Sequence, residues 1–137
     1  MSDLMPLTRI DPETGVTLTR GVRKAVVRYG MMSRTVDVPG WYPHDPADDN
    51  GLHSGADLVE SNEVYKQLRA EYAGRIRTIR KKLGLTQAEA GRIIGGGKRA
   101  FQKYESGKVP PSDAAIGLIE ILARHPDEVE TLRAMRG

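Results

Sequence analysis

Between residues 15 and 42 the chain alternates apolar and polar positions with a period of two. The segments "VTLTRG", "KAVVRYG" and "SRTVDVPGWY" are rich in β-branched and aromatic residues, with Gly21, Gly30 and Gly40 as breaks. Val36 and Val38 point to one face and Thr35 and Asp37 to the other. The pattern predicts a small antiparallel sheet of about three strands, too small for a robust core of its own. Residues 43–57, "PHDPADDNGLHSGAD", carry only turn signals. From Asp57 the period becomes helical, with Leu58, Val59, Val64, Tyr65 and Leu68 recurring up to Gly74.

The remainder reads as five helices. The first, about 75–83, sets Ile76, Ile79 and Leu83 on one face among Arg77, Arg80, Lys81 and Lys82, and Gly84 ends it. Thr86 followed by Glu89 is a capping box for the second, which runs to Ile94. A third covers about 98–106 and ends at Gly107. Ser112 caps a fourth helix to Arg124, and Pro126 opens a fifth. The expected fold class is therefore α+β: a β-rich domain over 1–60, a connecting helix over 61–73, and an all-α five-helix domain over 74–137.

Charge adds an asymmetry to this layout. Residues 1–61 hold 6 Lys+Arg against 9 Asp+Glu, residues 74–111 hold 10 against 2, and residues 112–137 hold 3 against 5. A basic block between acidic flanks is the footprint of a polyanion site. With no cysteine, disulfides, thiolate zinc sites and cysteine nucleophiles are excluded. No apolar run approaches the ~20 residues of a membrane span, and "MSDLMPLTRIDPETG" has no apolar signal core. A cytoplasmic protein with no membrane partner is expected.

The glycines of "GGGKRAFQKYESG", 95–107, suggest a phosphate loop at first glance. That loop needs G-x-x-x-x-G-K-[ST] after a strand. Here position 92 is Arg, position 99 is Arg, and the preceding segment is helical. Two short helices joined by a glycine turn are instead the pattern of a helix-turn-helix, whose second helix enters the major groove. Ala100, Phe101 and Tyr104 then form an inward stripe, while Lys98, Arg99, Gln102 and Lys103 fall outward. Such side chains contact base edges and phosphates. Lys108, just past the helix, is a phosphate-contact candidate.

The stretch "IRTIRKKLGLTQAEAGRIIGGGKRAFQKYESGKVPPS" resembles the Cro/repressor-type (XRE) helix-turn-helix family over about residues 74–122. The glycine triplet, the phenylalanine after it and "IEILARHPDEVETLR" resemble MqsA-type antitoxins more narrowly, as does "TRGVRKAVVRYGMMSRTVDVPGWY" in the N-terminal part. The resemblance implies DNA contacts from Lys98, Arg99 and Lys103, with Gln102 on the same face, and a backbone contact from Gln87 at the start of the second helix. It implies a structural salt bridge between Arg80 and Glu105. It also implies an antitoxin of a type II system, binding a palindromic operator in double-stranded DNA, repressing its own operon and neutralising a cognate ribonuclease toxin through the N-terminal domain. The sequence departs in one respect: the family's zinc is held by two C-x-x-C pairs, the second just after G-W-Y. That place here reads Pro43-His44-Asp45-Pro46, so zinc binding of that kind is not carried over.

Other chemistry is not indicated. His44, Asp45, Asp48, Asp49, His53 and Asp57 match neither an EF-hand nor an H-E-x-x-H helix and read as an acidic, solvated loop. No metal site, no cofactor and no enzyme activity are expected. The apolar fourth and fifth helices, "AAIGLIEILARHPDEVETL", offer a homodimer surface. The competing expectation is a stand-alone transcriptional regulator whose N-terminal domain senses a ligand or only dimerises.

Overall fold

A computed structural model describes residues 7–136; residues 1–6 and Gly137, the outer ends of the expected domains, lie outside the described residues. Three antiparallel strands precede five α-helices, an α+β layout. The strands are β1 (Thr8–Ile10), β2 (Thr17–Tyr29) and β3 (Met32–Pro43), in sheet order β1-β2-β3. The helices are α1 (Val59–Lys82), α2 (Gln87–Ile93), α3 (Ala100–Glu105), α4 (Asp113–Arg124) and α5 (Val129–Arg136), with 3-10 turns at Ala56–Leu58 and Pro126–Glu128. The chain divides into two compact units. One runs to Val27 and resumes over Arg34–Val64; the other joins Arg28–Ser33 to the helical chain from Tyr65 onward.

In the first unit β1 pairs with β2 in the register Thr8↔Thr19, Arg9↔Leu18 and Ile10↔Thr17. The structure corrects the expected segmentation. β2 runs unbroken through Gly21 and β3 through Gly40, and the third strand is β1, which lies outside the alternation pattern. Of the three supposed breaks only Gly30 has a positive φ, +60°, and it begins the two-residue turn that joins β2 to β3. Gly40 answers a different need, since a Cβ there would lie 2.6 Å from His53 Nδ1. β1 is three residues long and exposed throughout, so no periodicity could announce it.

The core of this unit is Leu18, Val36, Val38 and Trp41, roofed by cations. The guanidinium groups of Arg9 and Arg20 lie 4.9 and 4.5 Å from the Trp41 ring centroid. Arg20 also forms a bidentate pair with Asp57, whose carboxylate accepts from the Ser54 N–H at 2.9 Å. Asp57 is thus not part of a solvated loop: it is 4% exposed. The hydrogen bonds from Arg20 outweigh burial and hold its carboxyl well below the usual carboxylate range.

Arg23 ties down the loop after β3. It donates to the carbonyls of Asp48, Pro43 and Asp45 at 2.6, 2.9 and 3.1 Å, and stacks on Tyr42 at 4.8 Å. Asp45 and Asp48 turn their carboxylates to the N–H groups of Ala47 and Asn50. The family's cysteine-held zinc does not fit this loop, which has no thiolate to offer and whose carbonyls already meet a cation.

In the second unit α1 continues straight through Gly74, where a break was expected. A helical glycine costs only about 1 kcal/mol relative to alanine. The buried stripe Leu68, Tyr72, Ala73, Ile76 and Ile79 continues across it, so packing overrides propensity. The helix stops at Gly84, whose φ is +71°. The hairpin tip Arg28–Ser33 packs within this unit. Tyr29 sets its ring edge-on to Tyr65 and Tyr72, and its hydroxyl donates to the Gly107 carbonyl at 3.3 Å.

Candidate nucleic-acid interface

The site is built on α2, the glycine turn and α3. Thr86 accepts from the Glu89 N–H at 3.1 Å, and Glu89 accepts from the Thr86 N–H at 3.2 Å, closing the capping box. The Thr86 amide, the largest influence on Glu89, holds its carboxyl below the ordinary value. At the other end of α2 the Gly91 carbonyl accepts from Gly95 and Gly97 at 3.1 and 3.2 Å. Gly95, Gly96 and Gly97 have φ values of +136°, +93° and +94°, a run that only glycine tolerates. Gly91 serves close approach: a Cβ on it would sit 1.9 Å from the Gly97 carbonyl oxygen. The turn can fold back on α2 only because that side chain is missing.

This reversal launches α3 with a buried and an open side. Ala100, Phe101 and Tyr104 are buried, the two rings 5.2 Å apart. Lys98, Arg99, Gln102 and Lys103 are exposed on the helix or its approach, and none forms a side-chain hydrogen bond or ion pair among the described residues. Gly107, φ +76°, ends the segment, and Lys108 is exposed beyond it.

Arg80 and Glu105 lie behind that open side. Arg80 donates through Nε and Nη2 to the Glu105 carboxylate at 2.7 and 2.9 Å, and through Nη1 to the Leu85 carbonyl at 2.9 Å. Their side chains are 12% and 5% exposed, which makes this a pair held away from water. The hydrogen bonds to Glu105 raise the Arg80 pKa. Gln87 is half-buried and donates its amide to Glu105 at 3.2 Å. The structure therefore brings Arg80, Gln87 and Glu105 into one network and groups Lys98, Arg99, Gln102 and Lys103 on one side, while the Lys108 N–H donates to the Lys103 carbonyl at 3.0 Å just past the helix.

Three supporting ties carry no local sequence signal. Arg136 of α5 donates to the carbonyls of Ile93 and Ile94 at 2.7 and 3.2 Å, capping the last turn of α2. Arg133 reaches Glu89 at 3.5 Å, and Arg75 grips Glu120 from α1 to α4. Each joins residues more than 40 positions apart, beyond the reach of any periodicity. Uncompensated cations gather on the open side of α3. That side can receive a polyanion.

The family model for the antitoxin component of bacterial toxin-antitoxin systems, MqsA, matches residues 47–133. Antitoxin MqsA of Escherichia coli (strain K12) is 46% identical over 55 residues. That match covers 40% of this chain and 42% of the relative, less than half the length of either.

Proposed function

The chain belongs to the MqsA antitoxin family, and we propose that it works as a DNA-binding antitoxin that represses its own operon and neutralises a ribonuclease toxin. The observation that carries the DNA reading is the open side of α3, where four donor-bearing side chains stand unpaired on the helix or its approach, the helix being anchored from behind by Phe101, Tyr104 and the Arg80–Glu105 pair. In this reading α3 lies in the major groove. Arg99 and Lys103 contact bases or phosphates, Gln102 reads a base edge, and Lys98, Gln87 and Lys108 hold the backbone. The antitoxin is a regulatory protein and not an enzyme.

A homodimer on a palindromic operator completes the reading, with half-sites about 34 Å apart. Ile121 on α4 and Met135 on α5 are 55% and 68% exposed, apolar surface suited to a second copy. No helix among the described residues is long and apolar enough to cross a membrane, which agrees with a cytoplasmic repressor.

The toxin half of the proposal is tested by expressing the neighbouring reading frame with and without this chain. Growth arrest by the neighbour, reversed by the full chain and also by its Arg99→Ala/Lys103→Ala variant, is the expected result. A neighbour that does not arrest growth, or an arrest the chain leaves in place, would favour the stand-alone regulator.

A further inference from the structure

A cleft of about 290 Å³ opens beside α3, lined by Arg77, Arg80, Gln87, Gln102, Glu105 and Ser106. Its donors and acceptors do not balance. The carboxylate of Glu105 is already engaged, one oxygen by Arg80 and Gln87 and the other by Arg80. Arg80 spends Nε, Nη1 and Nη2 on Glu105 and the Leu85 carbonyl. The Ser106 hydroxyl donates to the Lys103 carbonyl. What remains unused, besides one N–H on each of Arg80 Nη1 and Nη2, is the Arg77 guanidinium, the Gln102 amide and the second N–H of Gln87, since neither Arg77 nor Gln102 forms a side-chain hydrogen bond or ion pair among the described residues.

The charges sum the same way. Arg80 and Glu105 cancel, leaving one positive charge, on Arg77. A ligand suited to this cleft carries one negative charge and several acceptor oxygens. A phosphodiester is such a group: it bears a single charge, accepts hydrogen bonds and donates none. Gln102 belongs both to the cleft and to the open side of α3, so a phosphate seated here adjoins whatever α3 contacts. We propose that this cleft seats one backbone phosphate of double-stranded DNA, with Arg77 of α1 as its charge partner and Gln87 and Gln102 as flanking donors. The inference rests on the DNA reading above and assigns Arg77 a contact outside α2, the turn and α3.

The test is a salt titration of the full-length protein on a fluorescent duplex of its own upstream region. Wild type is compared with Arg77→Ala, Arg77→Lys and, as a charge control on α4, Arg124→Ala. Losing one phosphate contact reduces the log–log salt slope by about 0.9. The deficit of Arg77→Ala against wild type should therefore be about 3.5-fold larger at ~50 mM than at ~200 mM salt. It should be equal on the cognate and a scrambled duplex, because a phosphate carries no sequence. Arg77→Lys should restore the slope and Arg124→Ala should leave it unchanged. Melting temperatures should not move, because Arg77 is exposed and engages nothing. A wild-type slope retained by Arg77→Ala overturns the proposal while leaving the DNA reading intact. An equal slope change in Arg124→Ala overturns it as well, by reducing the effect to overall charge. Absence of DNA binding by wild type overturns both.

Discussion

Gly91→Ala is expected to lower the melting temperature by roughly 10 °C or more and to remove DNA binding with it. Helix propensity alone predicts the opposite, because alanine in a helix interior is about 1 kcal/mol better than glycine. Geometry decides the sign. The new Cβ would lie 1.9 Å from the Gly97 carbonyl oxygen and 2.8 Å from the Gly97 carbonyl carbon, and both atoms are backbone. Nothing flexible can give way, so the glycine turn must lift off α2. Overpacking against such an obstacle costs typically about 1–3 kcal/mol and occasionally more, and each kcal/mol shifts a small domain's melting temperature by roughly 4–8 °C. Gly117→Ala on α4 is the control. Gly117 is exposed, has no positive φ and no neighbour within 4 Å, so alanine there should be neutral or slightly stabilising. If thermal melts showed Gly91→Ala as stable as Gly117→Ala, the close approach of turn and helix would be wrong.

Arg80→Ala should cost about 3–5 kcal/mol, the usual loss when one partner of a buried ion pair is removed. The Glu105 side chain, 5% exposed, would keep only the Gln87 amide, and the Leu85 carbonyl would lose its donor. The cost lies in the stranded charge more than in the lost attraction. Arg80→Met combined with Glu105→Leu should therefore recover much of the stability that the single substitution loses. Arg99→Ala should leave the melt unchanged, since Arg99 is exposed and unpaired. Denaturant melts of the three variants separate the roles; equal destabilisation by Arg80→Ala and Arg99→Ala would abolish the distinction.

The elements most legible in the sequence are those whose signals are local. The Thr86–Glu89 box spans three residues, and the structure closes it with both hydrogen bonds. Ser112 accepts from Ala115 at the start of α4 in the same way. Glycine is legible only as to kind: the residue type signals an unusual backbone demand but does not say which. Gly95–Gly97 and Gly30 meet it with positive φ, Gly91 and Gly40 with close approach, while Gly74 and Gly21 sit inside regular elements. Reading Gly21, Gly40 and Gly74 as breaks therefore misplaces two strand boundaries and divides α1. Asp57 escapes a sequence reading because its partner, Arg20, is 37 residues away and the intervening loop looks polar throughout. Distance in sequence likewise hides Arg23 beneath the loop carbonyls and Arg136 at the end of α2. The inward and outward sides of α3 are readable, because a short helix after a turn allows only one buried stripe.

The most direct test of the central claim is an anisotropy titration of the purified full chain at ~150 mM salt. Its own upstream duplex is compared with a scrambled one, for wild type and Arg99→Ala/Lys103→Ala. The predicted result is at least ~10³-fold tighter binding to the upstream duplex, the lower end of what specific recognition achieves, with that preference lost in the variant while its fold is retained. Equal, weak binding of wild type to both duplexes would contradict the account and reduce the basic block to unspecific attraction.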